Sequence, residues 1–162
     1  MITFTYTDNS EAVDKALANF QSSLADEAPA LQAIADDFRA MIAAQFASEG
    51  RAEGTPWPPR KSPARAGAVR EPPLLIRTGA LRDSLLGPSA LGHVEELEEQ
   101  SLTLGSRLPY AMFHQLGTRR MPARPLIVLS GERAERWAEI IRSGIEEKFV
   151  LLTAKELGGT KL

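Results

Sequence analysis

The segment PALQAIADDFRAMIAAQFAS, residues 29–48, carries the strongest structural signal in this chain. Its large apolar side chains return every three or four residues, which is the spacing of one face of an α-helix. Pro29 suits a first helical turn, and Gly50 stands just past the last apolar position. Such a helix is about 30 Å long. We predict that it forms the backbone of the core through Leu31, Ile34, Phe38, Met41, Ile42, Gln45 and Phe46.

The segments on either side of this helix differ in pattern. Residues 2–7, ITFTYT, alternate apolar side chains with threonine, which predicts a strand. A first helix is expected to start near Ser10. Residues 49–73 are rich in proline and have no period, so we predict a long loop in which Trp57 is the anchor.

The middle of the chain predicts short elements. Thr78 can cap a short helix that carries Leu81, Leu85 and Leu86 on one side. PSALGHVEEL and EEQSLTLGS, residues 88–106, predict a hairpin with Glu98 and Glu99 at its solvated tip. Residues 110–116 fit a short helix or a strand, and PLIVLS, residues 125–130, is a β-like apolar run expected to return to the sheet.

A last long helix is predicted after Ser130, which can cap it. The predicted fold is therefore α+β, with a small antiparallel sheet packed against long N-terminal and C-terminal helices and with long extended loops. We predict a single domain over residues 1–150 and a flexible tail over residues 151–162. The core stripe of the last helix would be Ala134, Trp137, Ile140, Ile141, Ile145 and Phe149.

Composition indicates one ordinary soluble domain. The chain has 162 residues, 43% of them hydrophobic and 25% charged, with no cysteine and a net charge of −2. We expect no signal peptide and no membrane span. Charge is segregated, because residues 1–50 hold two basic and eight acidic residues, residues 94–100 hold four glutamates, and residues 101–136 hold six arginines and two acids. Such segregation can steer contacts between copies of a protein as well as contacts with DNA.

The sequence gives little support for an enzyme or a metal site. Ser84, Asp83 and either His93 or His114 could serve hydrolysis, but there is no nucleophile elbow around a serine. The two histidines do not have the spacing of a zinc site. No phosphate-binding loop is recognisable. We therefore predict no catalytic residue, no metal and no cofactor, with His114 a hydrogen-bonding residue of a partly buried turn.

The segment YAMFHQLGTRRMPARPLIVLS, residues 110–130, leaves two interpretations open. Arg119, Arg120 and Arg124 could contact DNA phosphates, or could meet acidic groups of a neighbouring copy. Pro122 and Pro125 restrict the backbone, so we expect a stiff, extended, positively charged arm suited to an assembly contact.

Three segments together resemble the phage virion-morphogenesis proteins, which include tail-completion and head-to-tail joining proteins. They are GTPWPP at residues 54–59, LIRTGALRDSL at residues 75–85, and LPYAMFHQLGTRRMPARPLIVLS at residues 108–130. Two positions depart from the family pattern: Met121 replaces a more usual isoleucine, and Leu126 a frequent phenylalanine. The resemblance covers most of residues 1–150.

The resemblance implies a non-enzymatic structural protein of the tail-proximal neck, which completes or terminates the tail and enables head-tail joining. It implies a ring, expected to be a hexamer, in contact with tail tube or tail terminator proteins and with head-completion or connector proteins. The protein would be found in the virion, and in the host cytoplasm during assembly. The alternative is a DNA-binding packaging or neck factor that contacts phosphates through residues 119–124, and non-specific contact with DNA in the ring lumen is also expected.

We assign two sets of residues from these arguments. The predicted assembly interface is Trp57, Arg77, Arg82, Arg119, Arg120 and Arg124. The predicted structural motif is Thr78, Gly79, Leu81, Tyr110, His114, Gln115, Gly117, Pro122 and Pro125.

Overall fold

The computed structural model describes residues 18, 27–60, 73–98 and 100–157, with side chains as far as residue 151. Within these residues the protein contains four α-helices and one two-stranded antiparallel sheet, which confirms the predicted α+β class. The strand predicted over residues 2–7 and, apart from Ala18, the helix predicted from Ser10 lie outside the described residues, as does the part of the predicted loop at residues 61–72.

Helix α1 spans Ala28–Ser48 and is the central helix predicted from the sequence. Pro29 lies in its first turn, where a missing N–H removes no intrahelical hydrogen bond. Ile42 and Gln45 are fully buried, and burial of a large apolar side chain such as that of Ile42 contributes about 1.5–3 kcal/mol. The buried face consists of Ala30, Ile34, Ala35, Phe38, Met41, Ile42, Gln45 and Phe46.

The turn after α1 returns the chain onto the helix. Gly50 adopts a φ of 91°, and its N–H donates to Gln45 O at 2.9 Å. A short 3-10 helix follows at Arg51–Glu53. The side chain of Trp57 is then buried, with its ring edge-on to Phe46 at a centroid distance of 5.4 Å. Trp57 therefore anchors this part of the loop, as predicted.

Helix α2 spans Ala80–Leu86 and carries Leu81 and Leu85 into the core. Its N-cap is Gly79, which adopts a φ of 84° and has no side chain that could donate or accept a hydrogen bond. The prediction that Thr78 is the cap was therefore wrong by one residue. Thr78 Oγ1 lies 3.4 Å from Ala80 N, just before the helix.

The predicted hairpin is confirmed. Strand β1 spans His93–Leu97, strand β2 spans Leu102–Ser106, and the two pair antiparallel. Leu97 faces Leu102 at the turn, and the other end of the ladder pairs His93 with Ser106. Leu104 packs against the hydrophobic core formed by α1 and α2.

Helix α3 spans Ala111–Leu116, which settles the open choice for this segment in favour of a helix. Residues 117–130 form neither helix nor strand, so the prediction of a strand over residues 125–130 was wrong. They do not project as an arm either, because Arg124 N donates to His114 O at 2.7 Å and Leu126 is buried. The segment lies folded against the core.

Helix α4 spans Gly131–Leu157, which takes it past the predicted domain boundary at residue 150. Ser130 Oγ accepts a hydrogen bond from Arg133 N at 3.2 Å and caps the helix as predicted. Trp137 is half-buried against the core, whereas Ile145 and Phe149 are 36% and 53% exposed. The predicted core stripe is therefore wrong at Ala134, Ile145 and Phe149, which are all exposed.

Ion pairs join α4 to the first part of the domain. The two terminal nitrogens of Arg133 lie 2.5 Å from Asp37 and 2.6 Å from Glu53. Trp137 Nε1 donates to the same Asp37 carboxylate at 2.7 Å. These side chains are largely shielded from water, so removing Arg133 would leave the buried carboxylate of Glu53 without this ion pair.

Candidate functional site

A cleft of about 470 Å³ opens between the start of α2 and the start of α3. It brings together residues of the segments 75–85 and 108–130, although 22 residues lie between these segments in the chain. The predicted residues that line it are Arg77, Thr78, Gly79, Leu81, Tyr110, His114 and Arg124.

Arg124 forms one wall of the cleft and is only 7% exposed. Its Nε donates to Pro58 O at 2.9 Å, and its Nη2 donates to Pro59 O at 3.0 Å. The adjacent carbonyl of Pro125 accepts from Trp57 Nε1 at 2.8 Å. The folded chain itself buries both side chains and uses them as donors, and the assignment of Trp57 and Arg124 to an assembly interface stays a prediction.

Gln115 holds the segment that follows α3 in place. Its Oε1 accepts hydrogen bonds from Leu126 N at 2.7 Å and Ile127 N at 3.0 Å, and its Nε2 donates to Ile127 O at 2.7 Å. One amide side chain thus satisfies three backbone groups that a neighbouring strand would otherwise pair. This explains why an apolar run of β character does not join the sheet.

His114 lies on the cleft wall, with its ring edge-on to Tyr110 at a centroid distance of 6.2 Å. Its Nδ1 is buried and has no hydrogen-bond partner among the residues that the structure describes. Burial lowers the pKa of His114 below its ordinary value, and the positive charge of Arg124 acts in the same direction. The ring is therefore neutral at pH 7.

The cleft is electropositive. Arg60, Arg77 and Arg124 contribute guanidinium groups, and the described lining contains no carboxylate. Arg60 Nη2 donates to Pro73 O at 2.8 Å, while Arg77 is exposed at the rim. Guanidinium groups bind carboxylates and phosphates well, so the cleft is suited to an anionic group.

The remaining predicted interface arginines lie outside the cleft lining. Arg82 forms a half-exposed ion pair with Asp83 at 2.7 Å. Arg119 and Arg120 are exposed in the turn after α3. This turn depends on Gly117, since a β-carbon there would lie 2.6 Å from Ala123 N.

The residues considered for hydrolysis are not arranged as a nucleophile and base. Ser84 Oγ is buried and bonds to Leu81 O and Ser106 Oγ, each at 2.8 Å. His93 Nδ1 instead lies 3.0 Å from the backbone oxygen of Ser84. Neither histidine ring therefore meets the hydroxyl of Ser84.

Metal chemistry has no evident site in the described part of the chain. There, no three side chains of histidine, cysteine, aspartate or glutamate come close enough to hold an ion. The helices of that part are also each too short or too polar to cross a bilayer.

The outer face of α3 was missed from the sequence. Met112, Phe113 and Leu116 are 58%, 47% and 72% exposed, and Tyr110 just before them is 39% exposed. The three- and four-residue spacing of Met112, Phe113 and Leu116 could have indicated a single helical face. Because the choice between helix and strand was open, the sequence did not show that they share a surface.

Comparison with known proteins gives one result. The model of the phage virion morphogenesis family matches residues 8–146. No curated protein and no solved structure matches the chain significantly.

Proposed function

This chain belongs to the phage virion morphogenesis family, and we propose that it acts in the tail neck of the virion as a non-enzymatic structural protein. In this role it completes the tail and allows it to join the filled head. Its partners are other copies of itself, the tail tube or terminator proteins below, and the connector or head-completion proteins above.

The observation that carries this proposal is the convergence of two family-like segments on one cleft. Among the described residues, the cleft lining presents arginine side chains and no carboxylate, and His114 Nδ1 accepts no hydrogen bond from, and donates none to, a hydroxyl group. Such a site supports binding of an anionic group on a neighbouring protein better than it supports turnover. A site made for docking suits a protein whose work is assembly.

We also propose that the protein works as a ring, with six copies. Support comes from the separation of charge, because an acidic surface on one copy can meet a basic surface on the next. A head-to-tail contact of this kind closes into a ring when the rotation between neighbours divides a full turn evenly.

The experiment is a phage in which this gene carries an early stop codon. We expect lysates to contain DNA-filled heads and separate tails, and we expect added purified protein to restore joining. Electron microscopy of restored particles then gives the position and copy number. Infectious virions made without the protein, or its absence from purified virions, would contradict the proposal.

The DNA-binding alternative now depends on fewer residues. The guanidinium of Arg124 donates to Pro58 O and Pro59 O and is buried, whereas Arg119 and Arg120 are exposed. Duplex binding that weakens steeply with salt, and whose salt dependence decreases in the Arg119→Ala, Arg120→Ala double variant, would favour this alternative.

A further inference from the structure

The outer face of α3 is an apolar surface beside a basic turn. Met112, Phe113 and Leu116 present large side chains to solvent. Arg119, three residues after Leu116, is also exposed. Methionine, aromatic residues and arginine are enriched at the centres of protein interfaces. The exposed arginines that follow α3 are Arg119 and Arg120, and residues 107–131 contain no acid, so this end of the surface is positive.

The tip of the hairpin has the opposite charge. Leu97, at the end of β1, is 39% exposed and stands between the exposed side chains of Glu96 and Glu98. Glu98 Oε2 accepts a hydrogen bond from Ser101 Oγ at 3.0 Å, which positions the carboxylate at the turn. The hairpin tip therefore combines an apolar side chain with acidic groups.

These two surfaces lie at opposite ends of the hairpin. The chain enters α3 soon after Ser106, at the end of β2 that pairs with His93. The turn at Leu97 and Leu102 is four residues away along the strand, which corresponds to about 13 Å. The hairpin tip is thus separated along β2 from the point where the chain leaves for α3.

We propose that the α3 face of one copy, with Arg119, docks against the hairpin tip of a second copy, with Leu97 and Glu98. The inference rests on the proposed ring and names the surfaces that form it. Charge complementarity selects a second copy as the occupant, because the chain itself carries the acidic and apolar partner of its basic and apolar face. In a pair of copies, one α3 face and one hairpin tip remain unoccupied. Further copies therefore add through the same contact until the ring closes.

Apolar burial gives this contact its affinity, and charge fixes its register. Exposed ion pairs contribute about 0.2–1 kcal/mol each, which is less than burial of one large apolar side chain. Arg119 against Glu98 therefore sets which way the neighbour faces, and Leu116 and Phe113 against Leu97 hold it there.

The experiment uses paired cysteines in the full-length protein, which contains no cysteine of its own. Leu97→Cys and Leu116→Cys are combined in one chain and oxidised in assembled rings or purified particles. Leu97 lies at the turn of the hairpin and α3 follows its other end, so we expect a bond between the two positions to join two copies. A bond within one chain would give only monomer and no ladder. We expect a ladder of three or more linked copies, whereas either single variant can give no more than dimers.

The matched control combines Leu116→Cys with Ala43→Cys, an exposed position on α1 outside both surfaces. A ladder in the control, or no ladder in the test pair within particles that contain several copies, overturns the inference and leaves tail completion standing. A cross-link to a different virion protein also overturns it. Particles that contain no multimer contradict the proposed ring itself.

A charge exchange gives an independent readout. Arg119→Glu and Glu98→Arg should each reduce the ladder yield about fivefold, the upper value for one exposed pair. The double variant, with the charges exchanged, should restore the yield. Single variants without effect, or a double variant without recovery, would show that these two residues do not meet.

Discussion

Trp57 and Arg124 link the same two segments of the chain by hydrogen bonds that run in opposite directions. Trp57 Nε1 donates to Pro125 O at 2.8 Å, next to Arg124, and Arg124 donates to Pro58 O and Pro59 O, next to Trp57. Each side chain donates to backbone carbonyls of a proline-rich segment, and these carbonyls do not pair with a neighbouring strand. The two segments therefore form one closed unit against α1.

This clamp predicts a loss of monomer stability. Trp57→Ala should lower the free energy of unfolding by about 3–5 kcal/mol, as for other buried aromatic side chains. Arg124→Met should cost about 3 kcal/mol, because two hydrogen bonds from a charged donor are lost. Urea denaturation measures both. Arg77→Met, at an exposed position, should stay within about 0.5 kcal/mol, and equal stability of all three variants would contradict the clamp.

Gln115→Leu tests the side chain that replaces a strand partner. The variant leaves Leu126 N, Ile127 N and Ile127 O without their hydrogen bonds, so we expect a loss of about 2–4 kcal/mol. Hydrogen exchange should show faster exchange of the amides of Leu126 and Ile127. Gln100→Leu, at an exposed position in the hairpin turn, is the control and should leave both amides protected.

Alanine substitutions at three glycines distinguish the effect of a steric clash from the effect of backbone strain. Gly117 has a φ of 74° and no room for a β-carbon, Gly54 has a φ of 75° with open space around it, and Gly131 has open space and no positive φ. Substitution by alanine should cost about 3 kcal/mol or more at Gly117, about 1 kcal/mol at Gly54, and near zero at Gly131. Thermal unfolding ranks the three variants, and a different order would contradict this assignment of causes.

From the environment of Asp37 we predict that the folded protein loses stability in acid. Burial acts to raise its pKa, but hydrogen bonds from Trp137 and Arg133, together with the positive charges of Arg133 and Arg136, outweigh burial, so the pKa is below its ordinary value. A carboxyl with a depressed folded pKa contributes stability above its unfolded pKa, about 3.9, and that contribution is lost as the pH falls through the folded pKa. Asp37→Asn should therefore flatten the curve of unfolding free energy below about pH 4. Parallel curves for the two proteins would refute it.

His114 predicts a second pH effect in a different window. Its folded pKa lies below the ordinary value of 6.5, so below that pH the unfolded chain takes up a proton that the folded chain does not. Stability should fall as the pH drops from about 6.5 toward the folded pKa. His114→Gln should remove this part of the decline. Titration of the ring protons by NMR gives the folded pKa directly, and a value at or above 6.5 would contradict the prediction.

The local spacing of apolar residues was sufficient to predict the helices and strands that bury one face. The stripe from Ile34 to Phe46 predicted α1, and the alternating segments around Glu98 predicted the hairpin. Burial of one helical face or one strand face leaves a period in the sequence that can be read without knowing the partner. The same applies to Ser130, whose hydroxyl caps the helix that follows it in the chain.

The candidate site was predictable only in part. The sequence indicated that residues around Arg77 and His114 matter, and the structure places both on one cleft. It did not indicate that Arg124 is buried, because an arginine between Pro122 and Pro125 is expected to be exposed. The partners of Arg124 are backbone oxygens, and any residue could supply them.

The sequence by itself determined the α+β class, the central helix and the family, because these depend on spacing between nearby residues. Long-range folding decided the roles of Trp57, Gln115 and Arg124, whose hydrogen bonds reach backbone groups 11 to 68 positions away. A carbonyl group is the same in every residue, so no pattern of side chains marks which one will be the acceptor. Only the folded chain, by bringing Pro125 beside Trp57, makes that selection.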